Sequence, residues 1–295
     1  TFTVDAYMRK TTDLLLQVDV PSITGFTNAW RNIGKLDNKG LEFSIMSRNI
    51  SGKDFTWNTN FNLSLNRNKV VALGPSGDPI QSDGGAGTTH ITMIGEPIGS
   101  FYGYKMIGVN PQDGKIMYAD LNGDGEITDS GDRTFIGNPN PDFTFGFTNN
   151  FTYKNWYLDT LITGSVGNDI YNASRFELEL MNDFKNQSTV VLNRWTTPGQ
   201  ITNVPKARAA DVDKISDRFV EDGSYIRLQN IALSYTLPRK WLSHTFLNNV
   251  KLYCNVQNVF TITKYTGVDP EVPNGMDNSF YPRPRTYSLS IGLQF

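Results

Sequence analysis

The stretch "FTFGFTNNFTYKNWYLDTLITGSV", residues 143–166, decides the fold. Phe143, Phe145, Phe147, Phe151 and Tyr153 occupy odd positions, while Thr, Gly and Asn fill the even ones. Period-two alternation of this length marks a strand with one apolar and one polar face. Only Lys154 and Asn155 separate it from the next strand-like run, so the two are read as neighbours in an up-and-down sheet.

The same pattern recurs on both sides. In "FTWNTNFNLSL", Phe55, Trp57, Phe61, Leu63 and Leu65 share one face, and Thr56, Asn58, Asn60, Asn62 and Ser64 the other. At the end of the chain, "TYSLSIGLQF" puts Tyr287, Leu289, Ile291, Leu293 and Phe295 in phase. Eight strands are expected, over 1–16, 41–50, 55–69, 143–153, 156–170, 224–237, 249–265 and 284–295. In the sixth, the apolar phase slips between Leu228 and Ile231, which predicts a bulge. Most runs exceed the ~5–6 residues of an ordinary strand. They match the ~9–11 residues that cross a bilayer at a tilt.

The connections alternate in length. Long ones (17–40, 70–142, 171–223, 266–283) take turns with short ones (51–54, 154–155) and a medium one (238–248). Membrane barrels segregate their loops this way, with short periplasmic turns and large extracellular loops. Parity then places Phe295 at the periplasmic end. The expected fold is all-β: an antiparallel transmembrane barrel wall, with 1–295 as one unit. Within the long loops, Phe176, Leu180 and Phe184 at i, i+4, i+8 predict a short helix in 173–195, and 100–120 predicts a hairpin about "NPQDG".

Bulk properties agree. Aromatics make up 12% of the 295 residues, Gly numbers 26, and the formal net charge of −2 offers no polycation to nucleic acid. Hydrophobic content is only 38%, which a membrane barrel tolerates because every second residue suffices. No apolar run approaches the ~18 residues of a membrane helix. The chain begins "TFTVDAYMRK", already in a strand pattern without an initiator Met or signal peptide, and is expected to be a piece of a longer polypeptide. A single cysteine, Cys254, in phase with Val250, Leu252 and Val256, excludes an internal disulfide and reads as a small apolar residue.

Several blocks then stand out together: "NIGKLDNKGLEFSI", "GEPIGSFYGYKMIGV", "DLNGDGEITDSGDRTFIGNPNPDFTFGFTNNFTYKNWYLDTLITGSVGNDIYN", "YIRLQNIALSYTLP", "NVQNVFTITKYTGVDPEV" and "YPRPRTYSLSIGLQF". In this order they resemble the late barrel of SusC/RagA-type TonB-dependent transporters. The resemblance implies a Bacteroidetes outer-membrane barrel of about 22 strands, of which these eight would be the C-terminal part. It further implies an N-terminal plug domain, absent from this chain, coupling to TonB, and a SusD-like surface lipoprotein as partner. The cargo would be oligosaccharides or peptides, and no covalent chemistry is expected.

Three motifs carry site expectations. In "DLNGDGEITDSGD", Asp120, Asn122 and Asp124 stand at positions 1, 3 and 5 of a calcium-loop pattern, with Gly125 at the turn and Glu126 offering a carbonyl. Gly131 occupies position 12, where a bidentate acid belongs, so Asp132 or Asp129 would have to close the site. The alternative is a solvated acidic turn; the expected cofactor is a structural Ca²⁺. Second, Tyr287, Leu289, Ile291, Leu293 and Phe295 read as a barrel-assembly signal. Third, Tyr153, Trp156 and Tyr157 around the 154–155 turn read as an interfacial aromatic girdle.

Aromatics on the long connections (Trp30, Phe101, Tyr102, Tyr104, Trp195, Tyr281) are candidates for sugar stacking or for packing. Catalysis finds no motif: the two histidines, His90 and His244, fall on connections at opposite ends of the sheet. Two other readings compete with the transporter. One is a self-contained eight-stranded outer-membrane barrel with an adhesive or structural role. The other is a secreted, calcium-stabilised glycan-binding β-protein.

Overall fold

The computed structural model describes residues 1–19, 28–74, 77–83, 87–182, 184–207, 213–279 and 281–295. Its frame is one eight-stranded antiparallel sheet. The strands are β1 (Phe2–Asp19), β2 (Asn28–Ser51), β3 (Phe55–Leu73), β10 (Phe143–Tyr153), β11 (Trp156–Val166), β14 (Tyr225–Thr236), β15 (Asn249–Thr263) and β16 (Thr286–Gln294). They lie in the sheet in chain order, each beside the next. All eight expected strands are present.

The first hairpin corrects one boundary. Most of the expected 17–40 connection continues the sheet: Asp19 pairs with Asn28 and Leu14 with Gly34, while Gly34 pairs with Leu73 of β3. The stretch "NAWRNIGKLDNKG" lacks a strict apolar alternation, yet the ladder joins main-chain groups and forms there all the same. Residues 20–27 of that connection and 208–212 of the 171–223 connection lie outside the described residues. The expected bulge sits at Gln229, where the register shifts against both β11 and β15.

Period two becomes two chemically different faces. One row across the sheet reads Val4, Phe43, Leu63, Phe145, Gly164, Ile226, Ile262, and the next Phe2, Ile45, Phe61, Phe147, Ile162, Leu228, Phe260. Between them, on the opposite face, run Ser44, Asn62, Gly146, Thr163, Arg227 and Thr261. Phe2, Phe43, Phe61 and Phe147 meet edge to face at centroid distances of 4.8, 6.3 and 6.2 Å, pairs that contribute ~0.5–1.5 kcal/mol each beyond area. Gly164 belongs to this face because a Cβ there would strike the Phe145 ring.

The short connections share one end and are tied together. Lys154 N donates to Asp54 O at 2.8 Å, and Thr236 N to Asn155 O at 2.9 Å. The medium connection carries the single-turn helix α2 (Arg239–Leu242). At the other end the long connections build a cap. It contains a four-stranded sheet of β4 (Ile80–Asp83), β5 (Thr88–Thr92), β6 (Ser100–Tyr104) and β9 (Arg133–Gly137). A hairpin of β7 (Met106–Val109) and β8 (Ile116–Tyr118) turns about "NPQDG" as expected. A further pair joins β12 (Asp169–Tyr171) to β13 (Val220–Asp222), beside α1 (Ala173–Glu179).

The cap has its own core, drawn from three connections: Phe101; Tyr171, Ala173, Phe176, Leu180 and Phe219; and Met276. The helix is shorter than the 173–195 spacing suggested. Asn172 Oδ1 caps it by accepting from Arg175 N at 2.8 Å. Met181 then takes a left-handed φ of 51°, and Phe184, the third residue of the series, stands fully exposed.

Candidate functional site: the sheet faces and the loop cap

The apolar face runs the full width of the sheet, and its polar interruptions are satisfied within it. Thr59 and Asn149 pair across β3 and β10 on this face. Asn149 Oδ1 accepts from Trp57 Nε1 at 2.9 Å and from Thr59 Oγ1 at 2.7 Å. Internal satisfaction is what a lipid-facing polar group requires, since hydrocarbon offers no partner.

Tyr153 and Trp156 face each other across the short turn on the apolar side, and Trp156 packs on Tyr235 at 4.5 Å. Tyr157 does not join them. As the next residue along β11 it points to the polar face, where its hydroxyl accepts from Asn150 Nδ2 at 3.0 Å and Lys251 lies over its ring. The aromatics gathered on the apolar side of this turn are therefore Tyr153, Trp156 and Tyr235. Tyr287, Leu289, Ile291 and Leu293 lie on one face of β16, opposite Val256, Cys254, Leu252 and Val250. Phe295 stacks flat on Phe246 of the medium connection, 5.6 Å apart.

The acidic loop folds about its own carboxylates. Asp120 accepts from Gly123 N at 2.7 Å and Gly125 N at 2.9 Å. Asn122 Oδ1 accepts from Asp124 N, and Asp124 Oδ1 from Glu126 N. Gly123 and Gly125 have φ of 77° and 85°, the left-handed turns that a Cβ would strain. Asp132 is fully enclosed and closes the loop differently from a twelfth-position ligand. Its oxygens accept from Leu121 N at 2.8 Å and Thr128 N at 2.7 Å. Those amides, Thr128 first and then Leu121, hold its carboxyl below the usual carboxylate range. Asp129 instead accepts from the Tyr104 hydroxyl. The alternating oxygens of Asp120, Asn122 and Asp124 thus all accept from backbone amides of the loop. Among the described residues no group of three or more acidic, His or Cys side chains gathers closely enough to hold an ion.

The cap aromatics divide sharply. Phe101 and Tyr104 are core, and Trp195 is pinned by its Nε1 to Pro111 O at 2.9 Å. Trp30 and Tyr281 remain exposed. His90 is buried, with Nε2 3.2 Å from Asn274 O and its ring edge-on to Phe101. Burial lowers its pKa, against a smaller raising effect of the Asn274 carbonyl.

Sequence reasoning did not find the charge networks. In the cap, Glu179 binds Arg175 at 2.7 Å and Arg218 at 2.8 Å, and Arg218 reaches Asp213 at 3.3 Å. Glu221 takes Arg175, Asn172 and Thr266. Burial pushes Glu221 up, but these hydrogen bonds, led by the Thr266 amide, hold its carboxyl below the usual range. On the polar face, Arg227 is enclosed between Thr261, Asp269 and Glu271. Apart from Arg175–Glu179, which has a helical i,i+4 spacing, and Arg218–Asp213, five residues apart, these partners are distant in sequence.

No family model matches the chain. Relatives and solved structures do. TonB-dependent receptor P3 of Formosa agariphila is 39% identical over 99% of this chain and 32% of its own length. TonB-dependent receptor SusC of Bacteroides thetaiotaomicron is 34% identical over 99% of this chain and 30% of its own. The structure of the RagAB peptide transporter superposes with a TM-score of 0.88 at 27% identity, covering 100% of this chain and 33% of that one. The RagAB peptide importer in its open-open state superposes at 0.86. The chain thus spans about a third of the length of the relatives it matches. On these identities over nearly the whole chain and this superposition, the chain belongs to the SusC/RagA-type TonB-dependent receptors, as part of their outer-membrane β-barrel.

Proposed function

We propose that these residues form eight strands of an importer that carries nutrient oligomers, glycans or peptides, across the outer membrane. TonB supplies the energy through a part of the transporter outside this stretch, and a SusD-like lipoprotein meets the cap. The observation that carries the reading is the open sheet. Among the described residues β1 pairs with β2 alone and β16 with β15 alone, so two edges and a full apolar face wait for further strands and lipid. A self-contained eight-stranded barrel would have paired β1 with β16, and a secreted β-protein would have a polar outer face.

The polar face supplies amides and hydroxyls to an aqueous path, and the cap, with its own core, presents a fixed surface to a partner. In the acidic loop, calcium is proposed as reinforcement of a turn that already stands on its own hydrogen bonds. The alternate spacing of Asp120, Asn122 and Asp124 supports this, and Gly131 at position 12 makes the site weak. Calcium should then slow proteolysis within 120–132, and a chelator should remove that protection without unfolding the barrel.

The function is tested by uptake of labelled oligomers into cells that make the full-length transporter, with and without the TonB complex. Uptake should require both. Uptake that survives loss of TonB would overturn the reading.

A further inference from the structure

We propose that a basic patch on the lipid-facing side of β1, β2 and β3 binds the phosphate of an outer-leaflet lipid headgroup. The inference rests on reading the long-connection end of the sheet as the outer side, and it assigns a ligand to a face otherwise left to bulk lipid.

The apolar rows of this face can be followed toward the long connections without a break in register. Next to Val4, Phe43 and Leu63 come Ala6, Leu41 and Leu65. The following row is Met8, Lys39, Arg67, and the one after it Lys10, Asp37, Lys69. On β2 and β3 the change from apolar to cationic takes a single two-residue step. Its depth is that of a membrane surface. Phe55 to Leu65 on β3 covers about 33 Å along the strand, or about 25 Å in height at a barrel's usual tilt, which is the height of an apolar band. Arg67 and Lys69 therefore stand where headgroups begin.

The cations are placed to act together. Lys39 lies beside Arg67 and diagonal to both Lys10 and Lys69, a backbone separation of about 7–8 Å that long side chains bridge. All four side chains are exposed. Among the described residues only Arg67 of the four is in an ion pair, with Asp142 at 2.6 Å. Asp37 in the row and Glu96, on the turn bonded to Val70, do not reach the lysines. Like charges held this close repel unless an anion sits among them. The patch is also local, because β10 and β11 end at Phe143 and Val166 before reaching the height of Arg67. A phosphate brings the neutralising charge and several acceptor oxygens at once, which lysine and arginine donors fit. The acyl chains attached to it lie along the apolar rows just below; a free phosphate would leave those rows unused.

The test uses the full-length transporter purified from outer membranes, delipidated in detergent and titrated with dioleoylphosphatidic acid or dioleoylphosphatidylcholine. Native mass spectrometry counts the lipid retained. Phosphatidic acid should be retained several-fold better. Lys39→Gln with Lys69→Gln should abolish most of that preference, and Lys39→Arg with Lys69→Arg should keep it. Arg9→Gln, on the polar face of β1, should leave it unchanged. Folding of each variant is read from its heat-modifiable band; if the Gln pair does not reach that band, Lys10→Gln alone makes the same comparison. Equal retention of the two lipids, a preference that survives loss of the lysines, or displacement by inorganic phosphate as readily as by phosphatidic acid would each overturn the proposal. Protease treatment of intact cells separates this from failure of the reading beneath it: a cap cut only after lysis would show that the long connections do not face outward.

Discussion

Arg227 and Asp269 lie 2.5 Å apart, the arginine enclosed on the polar face of β14 and the aspartate on the connection that leaves β15. Glu271 adds a second contact at 3.1 Å and reaches Arg283 at 2.7 Å. This pairing folds the 266–283 connection down against the wall. Removing both carboxylates, Asp269→Ala with Glu271→Ala, leaves a buried charge without a partner, which typically costs about 3–5 kcal/mol. Hydrogen exchange should show the 266–283 segment opening, while Arg227→Met, which removes the charge itself, should open it less. Equal opening in both variants would contradict a latch built on charge.

The face assignment makes a second prediction. Phe147 sits mid-row on the apolar side and Thr148, its neighbour, on the polar side. Phe147→Arg should cost ~2–4 kcal/mol at bilayer depth and reduce the heat-modifiable, folded fraction in outer membranes. Thr148→Arg should fold normally. The reverse result would mean the faces are exchanged.

Asp132 sets a pH dependence. Its folded carboxyl titrates below the unfolded value of ~3.9. The stability it contributes is therefore complete above that value and is lost as pH falls through its lower, folded pKa. Exchange at the Leu121 and Thr128 amides should stay slow at neutral pH and accelerate below about pH 4. Asp132→Asn should accelerate it at every pH.

His90 acts in a higher window. Burial holds its folded pKa below the unfolded ~6.5. The neutral ring is the one that fits, so its contribution is complete above ~6.5 and falls away as pH drops through the folded value. The junction between β5 and Asn274 should loosen in that range, read by proteolysis near 273–275, and His90→Gln should remove the pH dependence. Groups facing the ring are Thr89, Phe101 and the Asn274 carbonyl, none of them charged.

How far the sequence reached follows from what each part of the structure needs. The strands of the wall announce themselves because lipid and water on opposite faces force a strict alternation, so Phe143 to Tyr153 could be placed to the residue. Residues 28–40 were missed because their side chains carry no strict alternation, while the ladder that holds them joins main-chain groups. The core of the cap was invisible for another reason: Phe101, Phe219 and Met276 come from three separate connections and meet only after folding. Tyr157 was grouped with Tyr153 and Trp156 by proximity to the turn, whereas alternation from Trp156 puts it on the opposite face. The Asp132 brace was half legible, since the missing acid at position 12 signalled a departure without showing that Asp132 would accept from the Leu121 and Thr128 amides.

The most direct test of the central claim, that this open sheet is completed by other strands of one polypeptide, is the intact mass of the natively purified outer-membrane protein together with whatever accompanies it. A chain roughly three times this length, as the 30–33% shares of its relatives require, with a lipoprotein attached, is the expected result. A stable, folded monomer of 33.1 kDa would contradict it.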